Sequence, residues 1–231
     1  MMRSYFSNFI SLFYPNYCEG CGRTLVRGEE CLCLYCFGDL PKTDFHTCKD
    51  NPVEMVFAGR VSVFRATAFC FFKKGNITQR LIHQLKYKGN QAIGFYLGRQ
   101  FGLELAKTEA FQSIDLIVPV PLHPQKFRQR GYNQSECIGK GISETLSRPV
   151  DTSSIIRVTP TSSQTKKARY ERWENVSGIF QLTKSNTLTG KHILLVDDVV
   201  TTGATIEAAA QPLFTLPTVK VSVACLAYAG S

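Results

Sequence analysis

The stretch ILLVDDVVTTGAT (193–205) joins an apolar run, two adjacent carboxylates and a hydroxyl-rich turn, a combination suited to a ribose phosphate. Ile193, Leu194, Leu195 and Val196 read as a buried strand. Asp197 and Asp198 then stand at its carboxyl edge, where open α/β sheets collect ligands. Thr201, Thr202, Gly203, Ala204 and Thr205 follow as a turn whose hydroxyls and backbone N–H groups can encircle a phosphate, with Gly203 permitting close approach. A helix expected over 205–214 turns its positive end on the same anion. The carboxylates would repel a bare phosphate, but a few residues upstream of the nest they can accept hydrogen bonds from sugar hydroxyls. A strand ending in two acids also fits the magnesium strand of a P-loop NTPase. No Gly-x-x-x-x-Gly-Lys-Ser/Thr loop accompanies it, and Gly139-Lys140-Gly141 lies inside a helical pattern without that spacing.

A second anion site is legible in IVPVPLHPQKFRQRGYNQSE (117–136). Here a strand ends at Pro119, Val120, Pro121 and Leu122, and Lys126, Arg128 and Arg130 precede a glycine and the start of a helix. The third chemical group is sulfur. Cys18-Glu-Gly-Cys21 and Cys33-Leu-Tyr-Cys36 have the knuckle spacing that lets each turn present two thiolates to one tetrahedral zinc. Cys31 competes as a ligand but makes a poorer chelate turn with Cys33, and His46 and Cys48 are candidates for a second site without close partners.

The elements that must position these groups follow from periodicity. VSVFRATAFCFF (61–72) reads as one or two strands, with a hairpin as one option, and residues 77–107 as two helices broken at Lys88-Gly89-Asn90. A short buried strand over 115–121, a helix over 131–146 and a weak strand over 155–158 come next. A polar, basic loop follows over 159–175. The strand at 192–196, the helix at 205–214 and a strand at 219–227 close an alternation typical of a parallel α/β sheet. The first eighteen residues, MMRSYFSNFISLFYPNYC, read as an amphipathic helix rather than a secretion signal, and no apolar run reaches membrane-span length. A cytoplasmic, reducing setting is therefore expected, one in which clustered cysteines bind metal rather than pair.

Six of the nine cysteines lie before residue 51, which divides the chain into a metal-dependent module over 1–50 and a larger domain over 51–231. A chain of 231 residues with 44% hydrophobic content can bury a core for that larger domain. The formal charge of +9 becomes +9 − 4 + 2 = +7 with four thiolates and one Zn²⁺, still favouring anionic partners.

The segment 193–205 resembles the PRPP (phosphoribosyl pyrophosphate) motif of type I phosphoribosyltransferases, and 117–136 narrows the resemblance to the competence protein ComF family. That resemblance implies a type I phosphoribosyltransferase-like parallel sheet flanked by helices, with a small N-terminal zinc ribbon. It implies that Asp197 and Asp198 hold the ribose hydroxyls, that the turn from Thr201 to Thr205 holds the 5′-phosphate, and that Pro119 to Leu122 approach the pyrophosphate. Lys86 and Lys88 in LKYKG match a basic element expected to face the diphosphate. In TSSQTKKARYERWENVSGIF (161–180), Gln164, Arg169, Arg172 and Asn175 match a loop that would close over it. Trp173 would either stack on a base or anchor the core. The implied reaction is displacement at ribose C1′ with Mg²⁺ on the departing pyrophosphate and Asp197, Asp198 and Arg130 as the catalytic residues. His83 and His123 are expected to pack or hydrogen-bond rather than catalyse. Relatives of this kind are associated with DNA uptake in natural transformation, so single-stranded DNA or a competence-machinery protein is an implied partner beside PRPP or a nucleotide. Two other functions fit: a non-catalytic nucleotide sensor or DNA-handling protein, and a zinc-ribbon nucleic-acid module on an inert scaffold.

Overall fold

The computed structural model describes residues 16–158 and 178–230, and four parallel strands form its central sheet. The strands are β1 (Arg65–Phe71), β2 (Leu116–Pro119), β5 (His192–Val200) and β6 (Lys220–Tyr228), in the spatial order β1-β6-β5-β2. A separate antiparallel pair joins β3 (Ile155–Arg157) to β4 (Phe180–Leu182). The helices are α1 (Leu34–Gly38), α2 (Pro52–Phe57), α3 (Ile77–Tyr87), α4 (Gln91–Leu105), α5 (Glu109–Gln112), α6 (Pro124–Arg130), α7 (Gln134–Leu146) and α8 (Ala204–Ala210). None of the described helices is long and apolar enough to cross a membrane. Residues 1–15, expected as a helix, and the loop carrying Gln164, Arg169, Arg172, Trp173 and Asn175 lie outside the described residues.

β5 from His192 to Val196 and β6 from Val221 to Ala227 are buried on both faces, as their largely apolar runs require in a parallel sheet. On one face, α3, α4 and α7 bury Leu81, Leu85, Ile93, Phe101, Ile138 and Ile142. Cys18, Cys31, Leu32, Cys33, Cys36 and Leu40 join that same cluster, so the cysteine segment shares its core with the helices. On the other face, Val53 and Phe57 of α2 pack with Ile206, Ala208, Ala209 and Ala210 of α8 and with Ile155 and Phe180.

α4 and α7 meet backbone to backbone. A Cβ on Gly98 would stand 2.2 Å from the Ile138 carbonyl oxygen, and one on Gly141 would stand 2.1 Å from that of Phe95. The glycines therefore set the helix separation, and through it the position of α7 over β2 and β5.

Four differences from the sequence expectations have local causes. Of residues 61–72 only Arg65–Phe71 is strand, and the hairpin option is not taken: Val61 and Val63 pack against the second core instead, and the antiparallel neighbour of β1 is a one-residue bridge from Lys42 to Cys70. β5 runs to Val200 because β6 stays beside it as far as Tyr228. Pro124 starts an additional short helix in its first turn, where its missing N–H costs nothing. α8 is shorter than expected and stops ahead of Pro212, whose ring cannot continue a helix.

Gly98→Ala should lower stability by about 1–3 kcal/mol, the usual cost of overpacking. Gly38→Ala, at a position where a Cβ meets nothing within 4 Å, should be close to neutral. Urea unfolding of both variants checks this, and equal midpoints would contradict the backbone contact.

Candidate functional site

β2 pairs with β5 only as far as Pro119 opposite Val196, closed by a bond from Val120 N–H to the Val196 carbonyl at 2.9 Å. Beyond it β5 continues with Asp197, Asp198, Val199 and Val200 while its β2 side has no strand partner. The acidic pair thus occupies a notch at the carboxyl end of the sheet, the usual ligand position in open parallel sheets.

Each half-buried carboxylate has its own support. Asp197 Oδ1 accepts from Ser135 Oγ at 2.9 Å and from the Asp198 N–H at 2.8 Å. Lys86 Nζ lies 2.9 Å from Asp198 Oδ1. Burial, and then the neighbouring Asp198 charge, push the Asp197 carboxyl up to about 7, even though the Asp198 N–H, Ser135 and Lys86 pull the other way.

The residues GYNQSE (131–136) build the wall facing this pair. Gly131 ends α6 in the left-handed conformation at φ 79°. Tyr132 donates its hydroxyl to the Leu85 carbonyl, tying the wall to the end of α3. Asn133 donates to the Val120 carbonyl at 3.0 Å and caps α7 by accepting from the Ser135 N–H at 3.1 Å. One side chain therefore fixes the end of β2 relative to the start of α7, and so places Ser135 against Asp197. Arg130 donates to Gln134 Oε1 at 2.7 Å and lies 5.3 Å from the centre of the Tyr87 ring.

Past Val200, residues Thr201, Thr202, Gly203, Ala204 and Thr205 line a small concavity with Asp197 and Val199. Gly203 has φ +72°, and a Cβ there would meet Val56 Cγ1 at 2.6 Å and Phe57 Cε1 at 2.8 Å. Both its conformation and its contact with α2 demand glycine. Arg60 Nη1 donates to the Thr202 carbonyl at 2.6 Å and its guanidinium also pairs with Glu207 of α8, bracing the turn from outside.

Of the residues singled out in sequence, the structure brings Asp197, Asp198, Lys86, the turn from Thr201 to Thr205, and Pro119 and Val120 to one end of the sheet. Pro121 and Leu122 continue from there, half-buried. Lys88 is not brought in: it lines a shallow hollow with Gln79, Arg80, His83 and Gln84. Lys126 and Arg128 are exposed on α6, and His123 serves as the α6 cap by accepting from the Gln125 N–H at 3.2 Å. Sequence reasoning missed the roles of Ser135, Asn133 and Arg60. Ser135 and Asn133 sat inside a quoted motif, but their partners are distant in sequence, and nothing around Arg60 signals its reach to residue 202.

Cys18, Cys21, Cys33 and Cys36 form a second centre, with sulfurs all within 4.8 Å of one another. Cys21 Sγ and Cys33 Sγ are 3.8 Å apart. Tetrahedral zinc with Zn–S bonds of about 2.3 Å needs sulfurs roughly that far apart, so this donor set can hold a metal ion. Burial works to raise the Cys18 thiol, but N–H groups from Cys33, Cys21 and Gly20 outweigh it and bring it down to about 7. Burial drives Cys31 up to about 12, which suits a protonated core thiol.

Residues 135–231 match the Phosphoribosyl transferase domain family, a span that includes Ser135, the acidic pair and the turn. The DNA utilization protein YhgH of Escherichia coli K12 is 35% identical over 224 residues, covering 94% of this chain and 92% of that protein. Competence protein F of Haemophilus influenzae is 30% identical over 64% of this chain and 67% of its own length. The chain belongs to the ComF family. Competence protein ComFC of Bacillus subtilis is 26% identical over 82% and 80%. This ComF chain therefore couples a parallel sheet flanked by helices, bearing a phosphoribosyltransferase domain, to a four-cysteine cluster near its N-terminus.

The raised Asp197 carboxyl has a sign that can be measured. The folded protein holds this proton to about pH 7 and the unfolded chain releases it near 3.8. The contribution to stability is therefore intact below about pH 4 and is lost as pH rises through 7. Asp197→Asn should raise Tm at pH 8 relative to wild type and change it little at pH 4. Parallel pH–Tm curves for the two proteins would contradict the assignment.

Proposed function

We propose that this protein binds PRPP in the notch beyond β2 and transfers its phosphoribosyl group with release of pyrophosphate. The observation carrying this reading is the acidic pair held at the open edge of β5 immediately before the Gly203 turn. Asp197 Oδ1 is saturated by two protein donors, which leaves Oδ2 to accept from a ribose hydroxyl. The amides and hydroxyls of Thr201 to Thr205 would hold the 5′-phosphate, and the backbone from Pro119 to Leu122 would meet the diphosphate. Magnesium bound with the substrate would supply neutralising charge at the leaving group. Lys86, pairing with Asp198 in the free protein, would turn to the diphosphate when the ribose takes its place. Arg130, at the end of α6 and bonded to Gln134 beside Ser135, would supply a second cation, and the family resemblance assigns Gln164, Arg169, Arg172 and Asn175 to the same ligand. We assign structural zinc to Cys18, Cys21, Cys33 and Cys36, within a module spanning 1–50 attached to the domain over 51–231. Cysteines that cluster as a metal donor set and are not paired as disulfides among the described residues fit a reducing, cytoplasmic setting.

A second reading, a non-catalytic protein that handles single-stranded DNA or docks on competence machinery, is favoured by the names of its relatives and by two exposed aromatic side chains. Tyr87 is exposed next to Lys88 in the chain, and Phe127 between Lys126 and Arg128, the mixture of aromatic faces and cations that stacks bases and follows a phosphate backbone.

Titrating PRPP with Mg²⁺ into wild type and into Asp197→Asn/Asp198→Asn should show at least about a tenfold loss in the double variant, since each charged hydrogen bond is worth roughly 1.5–3 kcal/mol. Equal affinities would sink the site. Pyrophosphate release across a panel of nucleobases should follow binding, whereas binding without any turnover would favour the DNA-handling reading. Zinc content should fall from one ion per chain in Cys18→Ser and Cys33→Ser, and undiminished zinc in both would refute the ligand set.

A further inference from the structure

The first metal knuckle lies along α3, and the acidic pair meets the last turn of the same helix. At its start, Gly20 of the first knuckle is so close that a Cβ would stand 2.8 Å from Cys36 Sγ and 2.9 Å from Ile77 Cδ1. Farther along, Gln84 Nε2 donates to the Glu19 carbonyl at 2.8 Å, within the loop between Cys18 and Cys21. Ile77, Leu81 and Leu85 bury the intervening face in the core that contains Cys18, Cys31, Cys33 and Cys36. The next turn carries the site contacts. The Leu85 carbonyl accepts the Tyr132 hydroxyl, Lys86 pairs with Asp198, and Tyr87 lies under the Arg130 guanidinium.

We infer that the thiolate cluster is a positioning element for the ribose-phosphate site, acting through Gln84. A metal held by Cys18 and Cys21 rigidifies the loop between them, because both ends of that loop become fixed to one ion. The Glu19 carbonyl is then a fixed acceptor, and its bond to Gln84 sets the rotation and axial position of the last turn of α3. Lys86 lies two residues beyond Gln84, and its ammonium must meet Asp198 within hydrogen-bond distance, so a small slide of that turn separates the pair. The same slide breaks the Tyr132 bond to Leu85 and loosens the segment that presents Ser135 to Asp197. Gln84 touches neither the acidic pair nor the turn, so it is a positioning residue rather than a catalytic one. This inference rests on the reading of the acidic pair as the PRPP site.

The test uses full-length, zinc-loaded protein and the near-isosteric variant Gln84→Met, which keeps the packing stem and all four thiols but has no donor. Zinc content should be unchanged in the variant. Hydrogen exchange should rise over residues 85–88 and 131–136, and PRPP with Mg²⁺ should bind roughly two- to tenfold more weakly, the fold-change that one hydrogen bond supports. Removing zinc from wild type with a chelator should raise exchange in the same two segments. Exchange increases confined to residues 16–50, in either case, would overturn the coupling. So would unchanged PRPP affinity in Gln84→Met. If zinc-loaded wild type fails to bind PRPP, the reading of the site falls, while the exchange at 85–88 and 131–136 still decides whether the knuckle positions Lys86.

Discussion

Two carboxylates on consecutive residues of a strand in a largely buried sheet face both lost hydration and mutual repulsion, and much of this protein is arranged around that conflict. The rise of the Asp197 carboxyl to about 7 shows that its supports do not remove the penalty. Ser135 and the Asp198 N–H both address the same oxygen of Asp197, and Lys86 addresses one oxygen of Asp198. What remains is acceptor capacity directed to the notch that the early end of β2 leaves open. On the function proposed above, a ligand with paired hydroxyls supplies the donors that these oxygens lack.

The elements around the pair follow from the need to hold those supports without adding bulk. α7 must come close enough for Ser135 to reach β5, and it does so because Gly98 and Gly141 let α4 and α7 approach at backbone distance. α3 must end where Lys86 reaches Asp198, and Tyr132 fixes that end through the Leu85 carbonyl. On the opposite face, α2 contributes Val56 and Phe57 as the floor beneath Gly203. Two layers thus divide the work: one controls the charge of the acidic pair, the other the shape of the turn at Gly203.

Much of this was legible in sequence where chemistry and local periodicity coincide. The apolar run before Asp197, the Thr-Gly turn after it, the two Cys-x-x-Cys knuckles and the break at Lys88-Gly89-Asn90 each carry their own local physical reason. What stayed hidden is non-local. β5 outlasts its expected end because of β6, and a strand's length depends on its neighbour as much as on its own residues. Arg60 reaches Thr202 across 142 positions with no motif around it. The early strand showed the same limit: Val61 and Val63 carry β-prone side chains, yet their burial against the second core decides their fate.

The cysteine segment gains a different meaning from its packing. Taken alone, two knuckles describe an appendage that needs metal to fold and could sit anywhere on the surface. In the structure, Cys31, Leu32 and Leu40 enter the core of α3 and α4, and Lys42 and Thr43 run beside β1, where Thr43 N–H bonds the Phe69 carbonyl at 3.0 Å. An element integrated at that depth shares one core with the helices that present Lys86 and Ser135. The cluster is therefore better understood as part of the layer that supports the acidic pair than as an independent ribbon. The nucleic-acid reading must accordingly look to the exposed Tyr87 and Phe127 and to the cations next to them in the chain, Lys88, Lys126 and Arg128.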